Sequence, residues 1–241
     1  MVMHVKDRTG RFAERPLFSE DELDTECEQI ISGFLRELHG NVSYPVATDD
    51  LTKLIESRAA DLDLYADLSG LGNDVEGLTE FRPGEKPRVR ISRLLSDDPR
   101  RENRFRTTLT HEFGHVHFHN YLWDSAARQS SLFAATGHRN GQPMTCKRET
   151  IVAAKKTDWM EWQAGYACGA LLMPATAVKR LVADFFQTHG IYASVTPESL
   201  HGQNLILSIV EAFRVSEEAA SVRLSRLNFL SASASGPALW E

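Results

Sequence analysis

The stretch TTLTHEFGHVHFHNY, residues 107–121, places imidazoles at His111, His115 and His119, a four-residue spacing that a helix turns to one side. At about 100° per residue, Phe105, Leu109, Phe113 and Val116 fall within one apolar stripe about 80° wide. The three histidines lie on the far side, about 40° apart in succession, with Glu112 between them and the stripe. The pattern predicts a helix from about Glu102 that buries one face and turns its imidazoles to a polar groove.

Histidines at i and i+4 can bring ring nitrogens onto one ion at about 2.0–2.1 Å. Glu112 follows the first of them and is rotated off the metal axis, beside the position where a water would sit. A zinc-acidified water passes its proton to such a carboxylate, which can hand it to a leaving amine. The plainer reading of the same helix is an exposed histidine-rich face with no metal. A catalytic zinc also needs a third protein ligand. The metzincin extension would place Gly and His three and six residues beyond His115, where this chain has Phe118 and Tyr121. The inverted motif is absent too. There remains a carboxylate from a second helix, and DWMEWQAGYACGALLMP, residues 158–174, offers one. Glu161 is the only acid in that segment after its first residue. It shares a stripe with Gly165, Cys168 and Leu172, and the small Ala164, Gly165, Cys168 and Gly169 would let this face approach another helix closely. A lone Glu on such a face needs a cation, which is either a metal or an arginine.

Around this pair the chain of 241 residues has room for one sizeable domain or a domain with a small accessory. Residues 19–39 read as a helix opened by Ser19 and Glu22 and closed by Gly40, and 48–58 as a second, with Thr48 as cap. Between 62 and 95, glycines and prolines punctuate alternating runs such as VEGLTEF and RVRIS, which predict two or three short strands in a small antiparallel sheet. A polar loop is expected over 124–156, and helices over 158–173, 176–188, 198–213 and 216–228. The fold class expected is α+β: a mostly helical domain, a small antiparallel sheet and a helical C-terminal extension. The divisions expected are an N-terminal helical segment 1–44, a metal-binding domain 45–175, the extension 176–230 and a flexible tail 231–241.

Composition narrows the function classes. Net charge is −6, so the whole chain is not built to coat nucleic acid or an anionic membrane. Residues 20–28 carry six acids and no base, and residues 82–106 carry nine Arg or Lys against four acids. Such runs read as solvated surface, or the basic one as a docking face for an acidic partner or nucleic acid. Cys27, Cys146 and Cys168 show no paired spacing, which fits a reducing compartment. With a polar N-terminus and no long apolar run, the expected location is cytoplasmic, with no membrane partner.

The motifs resemble those of the ImmA/IrrE metallopeptidases. HEFGH is followed by EWQAGYACGALLMP, similar to that family's E-x-x-A-N/D-x-F-A-x-x-L-L-M-P. AFRVSEEAASVRLSRL, residues 212–227, is similar to its closing F-x-V-S-x-x-A-x-x-x-R-L-x-x-L. VEGLTEF and PRVRIS echo its strands, so the likeness spans about 45–230. The resemblance implies a zincin-like fold, Zn2+ (or another divalent metal such as Mn2+) on His111, His115 and Glu161, and Glu112 as catalytic base. It implies a protein substrate, a helix-turn-helix repressor or antitoxin cut as a stress or mobile-element switch. Two departures stand out. Gly165 replaces the Asn or Asp that would orient a ligand, which leaves a catalytically weak or inactive metal-binding regulatory protein as the alternative. The 46-residue step from His115 to Glu161 is long, and its excess over 121–150 could serve as a lid.

Lesser candidates complete the reading. His119 could touch an ion or substrate, or be a solvated or core-bonded ring. His138, Arg139, Arg148 and Tyr166 are candidates to stabilise an oxyanion. Cys146 is either a redox thiol near the metal or a plain free thiol, and Cys168 reads as core. The helix pair 198–213 and 216–228 could form a helix-turn-helix. With only Arg223 and Arg226 set against Glu217 and Glu218 on its second helix, direct DNA binding is not expected.

Overall fold

The computed structural model describes residues 2–72, 74–132, 143–147 and 158–231. Its first element is a hairpin, β1 (Met3–Lys6) and β2 (Glu14–Leu17), paired antiparallel with Met3 opposite Leu17. No pattern in the first 18 residues had pointed to it. Helix α1 (Glu20–His39) follows, opened by the expected capping box of Ser19 and Glu22 and closed by Gly40 in the left-handed region. Helix α2 (Thr48–Arg58) starts one residue after an Ala47 cap that makes no side-chain bond. The Thr48 hydroxyl, expected to cap it, instead donates to Glu102 Oε1 at 2.9 Å.

The glycine-punctuated region forms β3 (Asp61–Ala66), β4 (Val75–Glu80) and β5 (Arg88–Ser92). After a one-turn α3 (Arg93–Ser96) comes α4 (Glu102–Leu132), which runs on well beyond the predicted loop boundary. Within the stretch expected to be loop lies another strand, β6 (Pro143–Lys147). The four strands order β3-β5-β4-β6. β4 pairs antiparallel with both β5 and β6, whereas β3 lies parallel to β5, a pairing that alternation cannot specify. The chain ends in α5 (Trp159–Leu172), α6 (Ala175–His189), α7 (Leu200–Phe213) and α8 (Glu217–Arg226). The α+β class is as expected.

One apolar core runs from α1 and α2 through α4 and α5 to α7 and α8, holding Leu23, Ile31, Leu54, Phe113, Leu171, Ile209 and Leu224. A second cluster of Phe81, Leu122, Trp123, Trp159 and Met160 has Phe12 from the hairpin turn packed against it. Phe12 meets the Trp123 ring edge-on at 5.0 Å between centroids. The N-terminal hairpin is thereby clamped onto α4 and α5.

The predicted polar groove does not exist as such. α4 is buried nearly all round over its middle, and His111, Glu112, His115 and His119 are all 0% exposed. One face of the helix meets the sheet and the other meets α5. Threonines make this burial tolerable: the hydroxyls of Thr107, Thr108 and Thr110 donate to the carbonyls of Asn103, Arg104 and Arg106, so no hydroxyl of this turn is left without a bond. The basic run is also partly internal. Arg101 and Arg104 both pair with Glu76, and Arg106 is buried, donating to the Val46 and Phe213 carbonyls. Among the described residues no helix is long and apolar enough to cross a membrane.

Candidate metal centre

The site is made where α4 and α5 touch. A Cβ on Gly114 would stand 3.0 Å from the Ala164 Cα, so the two backbones meet at a point where a side chain would hold them apart. His111 and His115 flank Gly114 on α4. Glu161 lies one turn before Ala164, just inside α5, whose Asp158 cap accepts from the Glu161 N–H at 3.5 Å. This contact brings the three side chains together.

His115 Nε2 stands 3.1 Å from His111 Nε2. His111 Nε2 is 3.3 Å from Glu161 Oε2, and His115 Nε2 is 3.3 Å from Glu161 Oε1. Two ligands held about 2.0–2.1 Å from a tetrahedral zinc stand about 3.3–3.4 Å apart, so the spacing fits a small divalent cation. Among the described residues, this is the one group of three or more His, Cys, Asp or Glu able to converge on an ion. Burial alone would raise the Glu161 carboxyl. The two facing imidazoles, His115 foremost, outweigh it and hold the group well below the usual glutamate value. Glu161 is therefore a carboxylate, the form a cation requires.

Glu112 points elsewhere. Its Oε2 accepts from the Thr79 hydroxyl at 2.5 Å, and a Cβ on Gly77 would stand 2.3 Å from its Oε1. β4 thus holds the Glu112 carboxylate from below with a donor at Thr79 and a gap at Gly77. Neither residue stood out in the sequence; the only signal was a glycine inside a strand, which marks close approach.

The two histidines are supported unequally. His115 Nδ1 lies 3.0 Å from His119 Nδ1, and His119 Nε2 lies 3.1 Å from Gln163 Oε1. His111 Nδ1 is buried without a hydrogen-bond partner. Gly165, where a polar residue was expected, lines a cleft of about 20 Å³ with Thr107, Cys168 and Arg223, a volume that suits one water. His119 thus contacts His115 and lies outside the three-residue cluster. Full burial, with His115 alongside, depresses its pKa well below the ordinary histidine value.

The remaining candidates separate cleanly. Tyr166, considered for an oxyanion contact, is buried and donates its hydroxyl to Asp24 Oδ2 at 3.0 Å. That makes it part of the core. Cys168 is core as expected, accepting from the Thr110 hydroxyl at 3.2 Å, and burial pushes its thiol up to about 11. His138, Arg139 and Arg148 lie outside the described residues. The backbone of Cys146 lies in β6 opposite Gly77, and its side chain is outside the described set. His117 leaves the site to meet Glu26 at 3.1 Å. Arg223 and Arg226 turn inward, Arg223 onto Asp24 at 2.7 Å and Arg226 over the Tyr166 ring at 4.8 Å.

Compared with known families, residues 75–225 match the IrrE N-terminal-like domain of the M78 peptidases. No curated protein matches the chain.

Proposed function

Since the chain belongs to the M78 (IrrE-like) peptidase family, we propose that it is a zinc-dependent endopeptidase of a specific cytoplasmic protein. The observation that carries this is the buried His111, His115 and Glu161 cluster beside a carboxylate held separately by Thr79. His111, His115 and Glu161 would hold the ion, and Glu161 carries a full negative charge to meet it. A divalent zinc bound there supplies Lewis acidity, which lowers the pKa of a water and polarises a carbonyl.

The chain's own residues do the rest. Glu112 takes the proton from the attacking water and delivers it to the departing amine nitrogen. Thr79 donates to Oε2 of that carboxylate and so fixes its position over β4. The complete burial of Glu112 removes competing solvent and strengthens each polar contact. The resemblance of the motifs supports a helix-turn-helix repressor or antitoxin as substrate, cut as a regulatory switch.

A second reading is a metal-binding regulatory protein with weak or no hydrolysis. It is favoured by Gly165 and by the His111 Nδ1 that no protein group meets. One experiment separates them. Wild type and Glu112→Gln are assayed for zinc content and for cleavage of the helix-turn-helix protein encoded nearest to the gene. The expected result is equal zinc in both, with cleavage by the variant slower by roughly 10²–10⁴-fold. A chelator should abolish cleavage and lower the wild-type melting temperature, since an ion that binds only the folded state stabilises it. Zinc bound without cleavage would favour the regulatory reading, and no bound metal would sink both.

A further inference from the structure

The hydrogen bonds behind His115 do not stop at His119. Gln163 Nε2 donates to the Pro16 carbonyl of β2 at 3.2 Å. His115, His119 and Gln163 are at most 1% exposed, so water does not compete for these positions.

A carbonyl oxygen can only accept, and this fixes every proton along the line. Gln163 must present its NH2 to Pro16, so its Oε1 faces His119 and must itself accept. His119 Nε2 therefore carries the proton. Only one proton fits between the two facing Nδ1 atoms, and a His115 ring that offers Nε2 to a cation must hold it, so His115 Nδ1–H donates to His119 Nδ1. That leaves His115 Nε2 with its lone pair aimed at His111 Nε2 and Glu161. The order of protons is set from a backbone atom in the N-terminal hairpin, which lies outside the matched residues 75–225.

We propose that His119 and Gln163 are positioning residues that lock His115 in the Nδ1–H tautomer, and that the hairpin carbonyl of Pro16 anchors them. The hairpin is on this reading a working part of the metal site. The inference rests on the proposed metal site, and its test separates the two. His111 has no such support, so the site leans on His115 for its pre-organisation. The clamp of Phe12 on Trp123 keeps β2 within reach of Gln163.

The test uses the full chain with 15N-labelled histidines. Long-range 1H–15N spectra assign each ring's protonated nitrogen, and competition against a chromophoric chelator measures Zn2+ affinity. The variants are His119→Phe, Gln163→Leu and Gln163→Glu, the last retaining an acceptor for His119 but losing the donor to Pro16. Wild type is expected to show Nδ1–H on His115 and Nε2–H on His119. Each variant is expected to bind Zn2+ roughly 10–100-fold more weakly while its apo form still unfolds cooperatively. Gln163→Leu should also let His119 populate its other tautomer. Cooperatively folded variants that bind Zn2+ within twofold of wild type would overturn the proposal, as would Nδ1–H on His119 in wild type. Wild type that binds no divalent ion yet shows the predicted proton order would overturn the metal reading and with it the positioning role, leaving only a structural relay.

Discussion

A Cβ on Gly77 would stand 2.3 Å from Glu112 Oε1 and 2.9 Å from Thr108 Cγ2, closer than real side chains come. Strand β4 is held between β5 and β6, so its backbone has little freedom to retreat, and the carboxylate would have to move. Gly77→Ala is therefore expected to leave zinc content close to wild type while lowering the melting temperature, as overpacking does, and kcat about 100-fold, the scale set by misplacing a reacting group by about 1 Å. Steady-state kinetics beside metal analysis checks this, and unchanged kcat would show that Glu112 tolerates another rotamer. The histidines and Glu112 were legible because residue type and four-residue spacing both carry chemistry. Gly77 and Thr79 were not, since their role depends on which strand the fold sets beneath the helix. Glu161 was legible for a different reason, as a lone acid among small residues. Tyr166 and His119 show the limit of that approach: an aromatic or imidazole near a motif looks the same in sequence whether it faces a substrate or the core.

At the scale of elements, the N-terminal hairpin turns on Asp7. Its carboxylate accepts from the Thr9 N–H, the Thr9 hydroxyl and the Phe12 N–H. Burial by itself would raise this carboxyl, but those donors outweigh it and hold the group below the ordinary aspartate value. A depressed carboxylate contributes stability that is full above the ordinary aspartate pKa of about 4 and is lost as pH falls below it. The amides of residues 3–17, corrected for intrinsic exchange rates, are expected to lose protection below about pH 4. Asp7→Ala should show the same loss at neutral pH. Protection that stays flat through that range would place the hairpin's stability in the Phe12 cluster alone. The hairpin escaped sequence reading because MHVK and ERPL are short, and their pairing is stabilised by ring contacts with residues more than 100 positions away. The long helices were legible because their caps are local: Ser19, Asp158, Ser199 and Ser216 each accept the backbone N–H three residues on.

At the scale of the molecule, one buried ion pair joins three distant segments. Arg223 of α8 meets Asp24 of α1 at 2.7 Å and donates to the Met173 carbonyl beyond α5 at 3.0 Å. Tyr166 of α5 shares the same aspartate. Arg223→Met should cost about 3–5 kcal/mol, because it strands a buried carboxylate, whereas Arg223→Met with Asp24→Leu should recover most of that loss. Urea unfolding of the four members of the cycle measures both. A single-variant loss below about 1 kcal/mol would mean that water reaches Asp24. The same geometry engages Arg223 and Arg226 inside the fold.

β6 has a consequence for any protein cut at this site. It lies along β4 with Cys146 opposite Gly77, on the strand that carries Thr79 beneath Glu112. A peptide laid against β4 would compete with a strand tethered to the same chain, whose effective concentration is on the order of millimolar. A free substrate at micromolar concentration would take that edge only in molecules whose β6 had given way, and its apparent affinity would scale with that fraction.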